Sequence, residues 1–250
     1  LSDEQPKDLE QYLPEIVPGR MLTREDFTPQ RARLIADIMA KRGGVPFMSE
    51  EARKASLRAI RASVAEGQDV WVFGYGSLMW NPAIHVADSR KAHVRGYHRT
   101  FCLTLNAGRG SPDNPGLMLG IDRGGSCSGV AHKIDAGAVD SELSILWYRE
   151  MLSGAYEPRW INADIEGSGR TRALTFAINR SHPRYEGVVD EAEAARRIAR
   201  AQGPFGTNRD YLFRTVKHLA EIGVADAPML RLEALVRATL GEQSLPTGDT

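Results

Sequence analysis

Apolar positions along this chain recur with two periods, helical toward both ends and strand-like in the middle. Residues 1 to about 20 mix charge with Pro6, Pro14 and Pro18, a pattern that predicts an extended arm. Thr28-Pro29 starts a helix, with threonine as cap and proline in the first turn, and Gly43-Gly44 stops it. Ser49 opens a second helix whose Leu57, Ile60 and Val64 form one apolar stripe before Gly67. From Trp71 the pattern turns to short β-type segments: 97–105, 117–121, 129–134, 160–165 and 171–178. Gly124-Gly125-Ser126 and Gly167-Ser168-Gly169 read as turns between antiparallel neighbours. A single helix interrupts the strands, from about Asp140 to Met151, with Gly154 as terminator. The last third returns to helix: Asp190 with Glu193 forms a capping pair, Asn208 caps the next helix, and Asp226 caps a last one ending at Gly241. Strands gathered in the middle with helices at both ends predict an α+β fold, not a doubly wound sheet.

One segment changes that picture from architecture to chemistry. Val70 to Asn81, Val-Trp-Val-Phe-Gly-Tyr-Gly-Ser-Leu-Met-Trp-Asn, reads as a buried strand that runs into a glycine-broken loop. Gly74 and Gly76 remove two side chains and open backbone conformations closed to other residues, so N–H groups near Ser77 and Leu78 can converge on a carboxylate or carbonyl. Sharper readings fail on spelling. A dinucleotide loop needs glycine where Met79 stands, a P-loop needs a Gly-Lys-Ser/Thr ending, and a nucleophile elbow around Ser77 needs glycine at Tyr75 and Met79. A plain tight turn is the alternative.

The chain has 250 residues, 42% of them hydrophobic, enough for one sizeable core or two small ones. Its 32 basic and 32 acidic residues balance, so no charge footprint points to nucleic acid or to an anionic membrane, and a small-molecule partner is expected. No apolar run approaches the roughly 20 residues of a membrane helix. The charged, proline-broken N-terminus is unlike a signal peptide, which makes a cytoplasmic location the default. Cys102 and Cys127, far apart and without zinc-site spacing, read as free thiols. The scattered histidines, of which His93 and His98 are the closest pair, match no helical metal face, so no metal is expected. Nothing in the pattern speaks to oligomeric state.

On the internal helix Leu143, Leu146, Trp147 and Met151 form the apolar stripe, and Glu150 stands seven, four and three residues after the first three. Helical geometry therefore places its carboxylate on the core-facing side, while Glu142 and Arg149 can turn to water. An inward glutamate is costly unless paired, and a carboxyl held away from water is suited to accept and return protons near neutrality. The alternative is a structural glutamate at the helix end that bonds Arg149 or Arg159, or escapes to solvent.

Taken together, these residues resemble the γ-glutamylcyclotransferase family, specifically its ChaC-like, glutathione-degrading branch. Phe-Gly-Tyr-Gly-Ser-Leu at 73–78 with Trp80 matches the first motif of that branch. Tyr148-Arg149-Glu150 followed by Gly154-Ala155-Tyr156 is similar to its catalytic segment, in the longer spacing of bacterial-type members. Gly203-Pro204-Phe205-Gly206-Thr207-Asn208-Arg209-Asp210-Tyr211-Leu212 resembles its third motif. The likeness runs from about Val70 to Leu240 and includes Arg95-Gly96-Tyr97 and Arg99 with Phe101. It implies a compact mixed barrel flanked by helices, residues 69–242, after an arm and helical extension at 1–68 and before a tail at 243–250. It also implies no metal or organic cofactor, and a reaction that releases 5-oxoproline and cysteinylglycine from glutathione. Glu150 would be the catalytic acid/base, with Tyr75, Gly76, Ser77 and Leu78 holding the γ-glutamyl group. Tyr156 and Tyr211 are candidates for orienting hydroxyls, each with a packing role as the alternative, and Asn208 is expected to cap its helix beside the ligand. Two rival readings stay open: a cyclotransferase for other γ-glutamyl amino acids or amines, and a non-catalytic binding or regulatory protein on the same scaffold.

Overall fold

The computed structural model describes residues 21–34 and 47–241. The arm at 1–20, the end of the helix begun at Thr28-Pro29 and the tail after 241 lie outside the described residues. Five strands close a barrel in the order β1-β3-β2-β4-β5, where β1 is Val70–Gly74, β2 Asp88–Leu105, β3 Gly116–Ile134, β4 Tyr156–Ile165 and β5 Gly169–Ile178. β1 pairs antiparallel with β3, from Val70 opposite Ile134 to Gly74 opposite Val130, and parallel with β5 through Trp71 and Val72. β4 pairs antiparallel with β5 along its whole length and with β2 through Ala92 to Val94. The α+β barrel expected from the sequence is the observed architecture.

Two features of the sheet differ from the sequence reading. β2 begins at Asp88, well before Tyr97, because its first half alternates buried Ala92 and Val94 with polar residues, a half-exposed pattern weaker than a continuous apolar run. Gly124-Gly125 is not a turn between strands. Both glycines lie inside β3 with φ of 101° and 67°, where the strand accommodates them as an irregularity and continues. The Gly167-Gly169 segment does form the expected turn between β4 and β5.

The described chain divides into two compact units. The first contains Met21–Thr100 and Leu119–Tyr185, and so holds β1, β4, β5 and the larger parts of β2 and β3. Its core is built from Val70, Val72, Leu78, Ile134, Leu174 and Phe176 together with Leu143, Leu146, Trp147 and Met151 of helix α3, Val139–Glu150. Helix α1, Glu50–Arg61, is capped by Ser49 as expected, its side chain accepting from the Ala52 N–H. The predicted stripe packs there too: Val64 joins the core cluster, and Leu57 and Ile60 lie against it. The Trp147 indole donates to the Ser56 hydroxyl at 3.3 Å and its ring meets Phe176 edge-on at 5.5 Å. Thr28 starts the preceding helix by accepting from the Arg31 N–H at 3.2 Å.

The second unit holds 101–118 and 186–241. Helices α4 (Glu191–Arg200), α5 (Asn208–Glu221) and α6 (Ala227–Thr239) pack around Ile198, Leu212, Leu219, Leu232 and Val236, with a two-residue ladder, β6 (Gln202–Gly203) and β7 (Gly206–Thr207), between the first two helices. Asp190 and Asp226 cap α4 and α6 as the sequence predicts. The cap of α5 is Thr207, whose hydroxyl accepts from the Asp210 N–H at 3.2 Å. Asn208 is instead the first helical residue and points inward, a correction explained by the partner it finds in the Leu117 backbone.

Candidate functional site

β1 carries the first motif to the end of the barrel. A Cβ on Gly129 of β3 would lie 2.2 Å from the Gly74 carbonyl oxygen, and a Cβ on Gly74 would crowd Leu78 and Met79 at 3.0–3.1 Å. Glycine is required at 129, and a side chain at 74 would need the following turn to give way by a few tenths of an ångström. Neither Gly74 nor Gly76 has positive φ, but Gly76 sits at φ −136°, ψ −131°, outside the ordinary helical and extended regions. What was read as a loop becomes a four-residue helix, α2 (Ser77–Trp80), closed by Met79 N–H to the Gly76 carbonyl at 2.8 Å and Asn81 N–H to the Ser77 carbonyl at 2.9 Å. The N–H groups of Ser77 and Leu78 fall in its first turn, where a helix offers no internal acceptor.

Buried side chains pin this turn from outside. Arg99 donates Nε to the Tyr75 carbonyl at 2.6 Å and an Nη2 proton to the Ser128 carbonyl. His132 sits between the Leu78 carbonyl and the Ser89 hydroxyl, 2.8 Å from each. The Tyr75 hydroxyl donates to the Phe176 carbonyl at 2.6 Å and the ring is buried. Arg99 and His132 support the motif without belonging to it; the resemblance included Arg99, whereas nothing in the sequence pattern sets His132 apart from other strand residues.

α3 delivers the second motif. Leu143, Leu146, Trp147 and Met151 are all buried, as their spacing predicts. Glu150 is the last residue of the helix, its side chain 15% exposed, beside that stripe. Arg149, expected in water, is more enclosed at 8%. Its Nε donates to Glu150 Oε1 at 2.7 Å, its Nη2 to the Ser77 hydroxyl at 2.9 Å and its Nη1 to the Asn81 carbonyl, so one guanidinium joins the two motifs. The pairing of Glu150 with Arg149, raised from the sequence as the structural alternative, is therefore present. It engages one carboxylate oxygen only, and Oε2 takes no hydrogen bond from the described residues.

Glu142 overturns the other expectation for this helix. Its side chain is 1% exposed, and Arg24 grips both of its oxygens, with Nη2 to Oε1 at 2.9 Å. The His85 N–H donates to Oε2 at 2.8 Å and the Ser141 hydroxyl to Oε1 at 2.9 Å. Burial works against the charge, and these donors outweigh it, holding the carboxyl below its usual range. The sequence sent Glu142 to solvent because its partner stands 118 residues away, in a 3₁₀ turn at Arg24–Asp26.

The segment after Glu150 is also fixed. The Gly154 carbonyl accepts from Asn179 Nδ2 at 3.0 Å, Ser153 meets His182 through its carbonyl at 3.0 Å, and its hydroxyl accepts from Arg184 Nη2 at 2.8 Å. Burial and the neighbouring Arg184 charge lower the proton affinity of His182 against the pull of the Ser153 carbonyl. Tyr156 opens β4, and its hydroxyl donates to the Leu119 carbonyl at 2.8 Å. Asp122, on the same strand as Leu119, is buried; burial opposes its charge, but Arg180 at 2.6 Å, the Tyr185 hydroxyl at 2.6 Å and the Arg123 N–H hold its carboxyl below the ordinary range.

The first unit thus brings Tyr75, Gly76, Ser77 and Leu78 together with Glu150 through Arg149. The third-motif residues belong to the second unit. There Asn208 is fully buried, with Oδ1 accepting from the Leu117 N–H at 2.8 Å and Nδ2 donating to the Leu117 carbonyl at 2.9 Å, so both ends of its amide are committed to backbone. Tyr211 is buried and meets the Phe101 ring edge-on at 6.1 Å. Cys102 and Cys127 are buried free thiols. Among the described residues, no helix is long and apolar enough to cross a membrane.

Comparison with known proteins bears on the same segments. A family model described as ChaC-like protein matches residues 70–239. The glutathione-specific gamma-glutamylcyclotransferase of Escherichia coli (strain K12) is 40% identical over 200 residues, covering 80% of this chain and 86% of that protein. The glutathione-specific gamma-glutamylcyclotransferase 1 of Mus musculus is 34% identical over 176 residues, 68% of this chain and 78% of that one. Among solved structures, the yeast γ-glutamyl cyclotransferase specific to glutathione superposes with a TM-score of 0.62 at 19% identity, over 68% of this chain and 96% of its own, a likeness of fold.

Proposed function

This chain belongs to the ChaC-like family, and we propose that it is a glutathione-specific γ-glutamylcyclotransferase in which Glu150 is the general acid/base. It closes the γ-glutamyl group of glutathione into 5-oxoproline and releases cysteinylglycine. The substrate is a small molecule, and the two buried thiols fit the reducing cytoplasm in which we place it.

In this reading the vacant Oε2 of Glu150 takes a proton from the substrate ammonium. The freed amine attacks the γ-carbonyl carbon and forms the new C–N bond of a five-membered lactam. The bond from that carbon to the cysteinyl nitrogen then breaks as Glu150 returns its proton to the departing amine, and the second proton shed by the ring nitrogen passes by the same carboxylate to that amine, which leaves as the ammonium, so the lactam N–H is neutral and the carboxylate is regenerated. Nucleophile and electrophile share one molecule, so the site need only hold a folded conformer, and orientation contributes up to about 7 kcal/mol. Proton transfer through a positioned carboxyl contributes about 10² to 10⁴-fold. The N–H groups of Gly76, Ser77 and Leu78 are assigned to the γ-glutamyl oxygens, where negative charge develops on the carbonyl. Tyr75 and Tyr156, whose hydroxyls each donate to a backbone carbonyl, are assigned to orient the γ-glutamyl group.

One observation supports the acid/base assignment above the others. Among the described residues nothing bonds Oε2 of Glu150, while Arg149 ties its other oxygen to Ser77 of the first motif. The test is incubation of the protein with glutathione, γ-glutamylalanine and γ-glutamyl-lysine, with 5-oxoproline read by mass spectrometry. Lactam from glutathione alone is expected. Equal yields from all three would replace the glutathione assignment with a general γ-glutamyl one, and none from any would leave a binding protein.

A further inference from the structure

Neighbours on a helix do not face each other: residues at i and i+1 diverge by about 100°. Arg149 and Glu150 nonetheless meet at 2.7 Å. The contact arises because other parts of the chain capture the guanidinium and hold its plane across the end of α3. Ser77 and Asn81 take its two terminal nitrogens. The Phe27 ring lies 5.5 Å from the guanidinium carbon, within cation–π range. Asn81 is held in turn by the same N-terminal segment, its Nδ2 donating to the Leu22 carbonyl at 2.8 Å. Arg24, between Leu22 and Phe27, grips Glu142 two turns earlier on α3.

The geometry points to Arg149 as the positioning residue for Glu150, with Leu22–Phe27 as part of its support. That inference rests on the acid/base reading of Glu150 and adds two things to it. The carboxylate does not find its own rotamer: a glutamate at a helix end has three free torsions, and the Nε donor holds Oε1, leaving Oε2, which takes no hydrogen bond from the described residues, as the proton-transferring atom. And residues 22–27, which lie before the family-matched stretch at 70–239, belong to the catalytic apparatus of this chain. Three separate acceptors on one rigid fork are a task for arginine and not for lysine, whose ammonium is a point donor on a flexible stem.

The test is steady-state kinetics with glutathione on Arg149→Ala, Arg149→Lys and Phe27→Leu, with Glu150→Gln as reference and melting temperature recorded for each. A positioning role lowers kcat and leaves KM within about threefold, since the donor orients the proton-transferring group and does not touch substrate. Arg149→Ala should lose about 10 to 100-fold in kcat, Arg149→Lys should recover little of it, and added methylguanidine should restore part of the alanine variant's rate. Phe27→Leu, which keeps an apolar side chain but removes the ring, should lose about two- to fivefold in kcat. Wild-type kcat in Arg149→Ala beside an inactive Glu150→Gln would overturn the positioning role alone. A loss in Arg149→Ala that appears in KM, or that methylguanidine fails to relieve, would overturn it as well. If Arg149→Ala does not fold, Phe27→Leu decides: unchanged kcat removes the N-terminal segment from the apparatus, and a loss confined to KM does the same. Near-normal turnover in Glu150→Gln would sink the acid/base reading, and this inference with it.

Discussion

The two ends of helix α3 hold two glutamates that the structure treats in opposite ways. Glu142 is enclosed and saturated: an arginine takes both oxygens, and a backbone N–H and a hydroxyl fill the remaining lone pairs. Glu150 is partly enclosed, and the described residues engage only one of its oxygens. A carboxylate whose lone pairs are all occupied by protein can hold structure together but has nothing to offer a substrate. One that is oriented through a single oxygen keeps the other for chemistry. In the proposed mechanism the open oxygen, more than burial, separates Glu150 from Glu142.

The comparison breaks first on Glu150→Gln. The amide keeps the shape and the bond to Arg149 but cannot shuttle a proton, so turnover should fall at least about a hundredfold with the melting temperature unchanged. Near-normal turnover would mean that Glu150 is a second rivet. Glu142→Gln should do the reverse. It leaves the Arg24 guanidinium without its counter-charge and sets an amide N–H₂ among donors, a cost of about 1.5–3 kcal/mol. Thermal denaturation should show a drop of about 4–8 °C for a chain of this size, with kcat changed less than about threefold. Loss of turnover without loss of stability would give Glu142 a catalytic part.

Acid sharpens the contrast. The folded state binds a proton on His182 less readily than the unfolded chain does, so stability falls as pH drops below about 6.5. Glu142 and Asp122 have lowered folded values. Their stabilisation is complete above the ordinary carboxylate range and is lost as pH falls through the folded values. Denaturant titrations between pH 8 and 3 should show stability level at the top and falling in two stages, and Glu142→Gln should flatten the second. A curve that rises toward acid would contradict the hydrogen bonding of both carboxylates. The smallest effect is expected for Tyr156→Phe: loss of one hydroxyl from the Leu119 carbonyl lowers stability by about 1 kcal/mol, and a larger KM for glutathione would add a substrate contact. Unchanged KM would reduce this tyrosine to packing.

Much of the fold lay open in local patterns. Strand β1, the caps at Ser49, Asp190 and Asp226, and the buried stripe of α3 all follow from periodicity and end-capping chemistry between residues close in sequence. The errors share a cause. Spacing alone lets Glu142 and Arg149 turn to water and makes Asn208 a cap, because each of these polar side chains finds its partner far along the chain, at Arg24, Ser77 and Leu117. Gly124-Gly125 misled in a related way: positive φ at two glycines fits both a turn and a strand irregularity, and only the pairing of β3 decides between them.

By itself the sequence determined the long helices and the apolar centres of the strands, where the glycine-broken motif stands, and that Glu150 lies beside an apolar helical face. Those properties depend on interactions within a few residues, set by backbone geometry and side-chain size. Tertiary structure alone decided which carboxylate is saturated and which keeps a vacant oxygen. A lone pair is filled only when a donor is carried to it, and two of the three residues that donate to Glu142 stand 57 and 118 positions away.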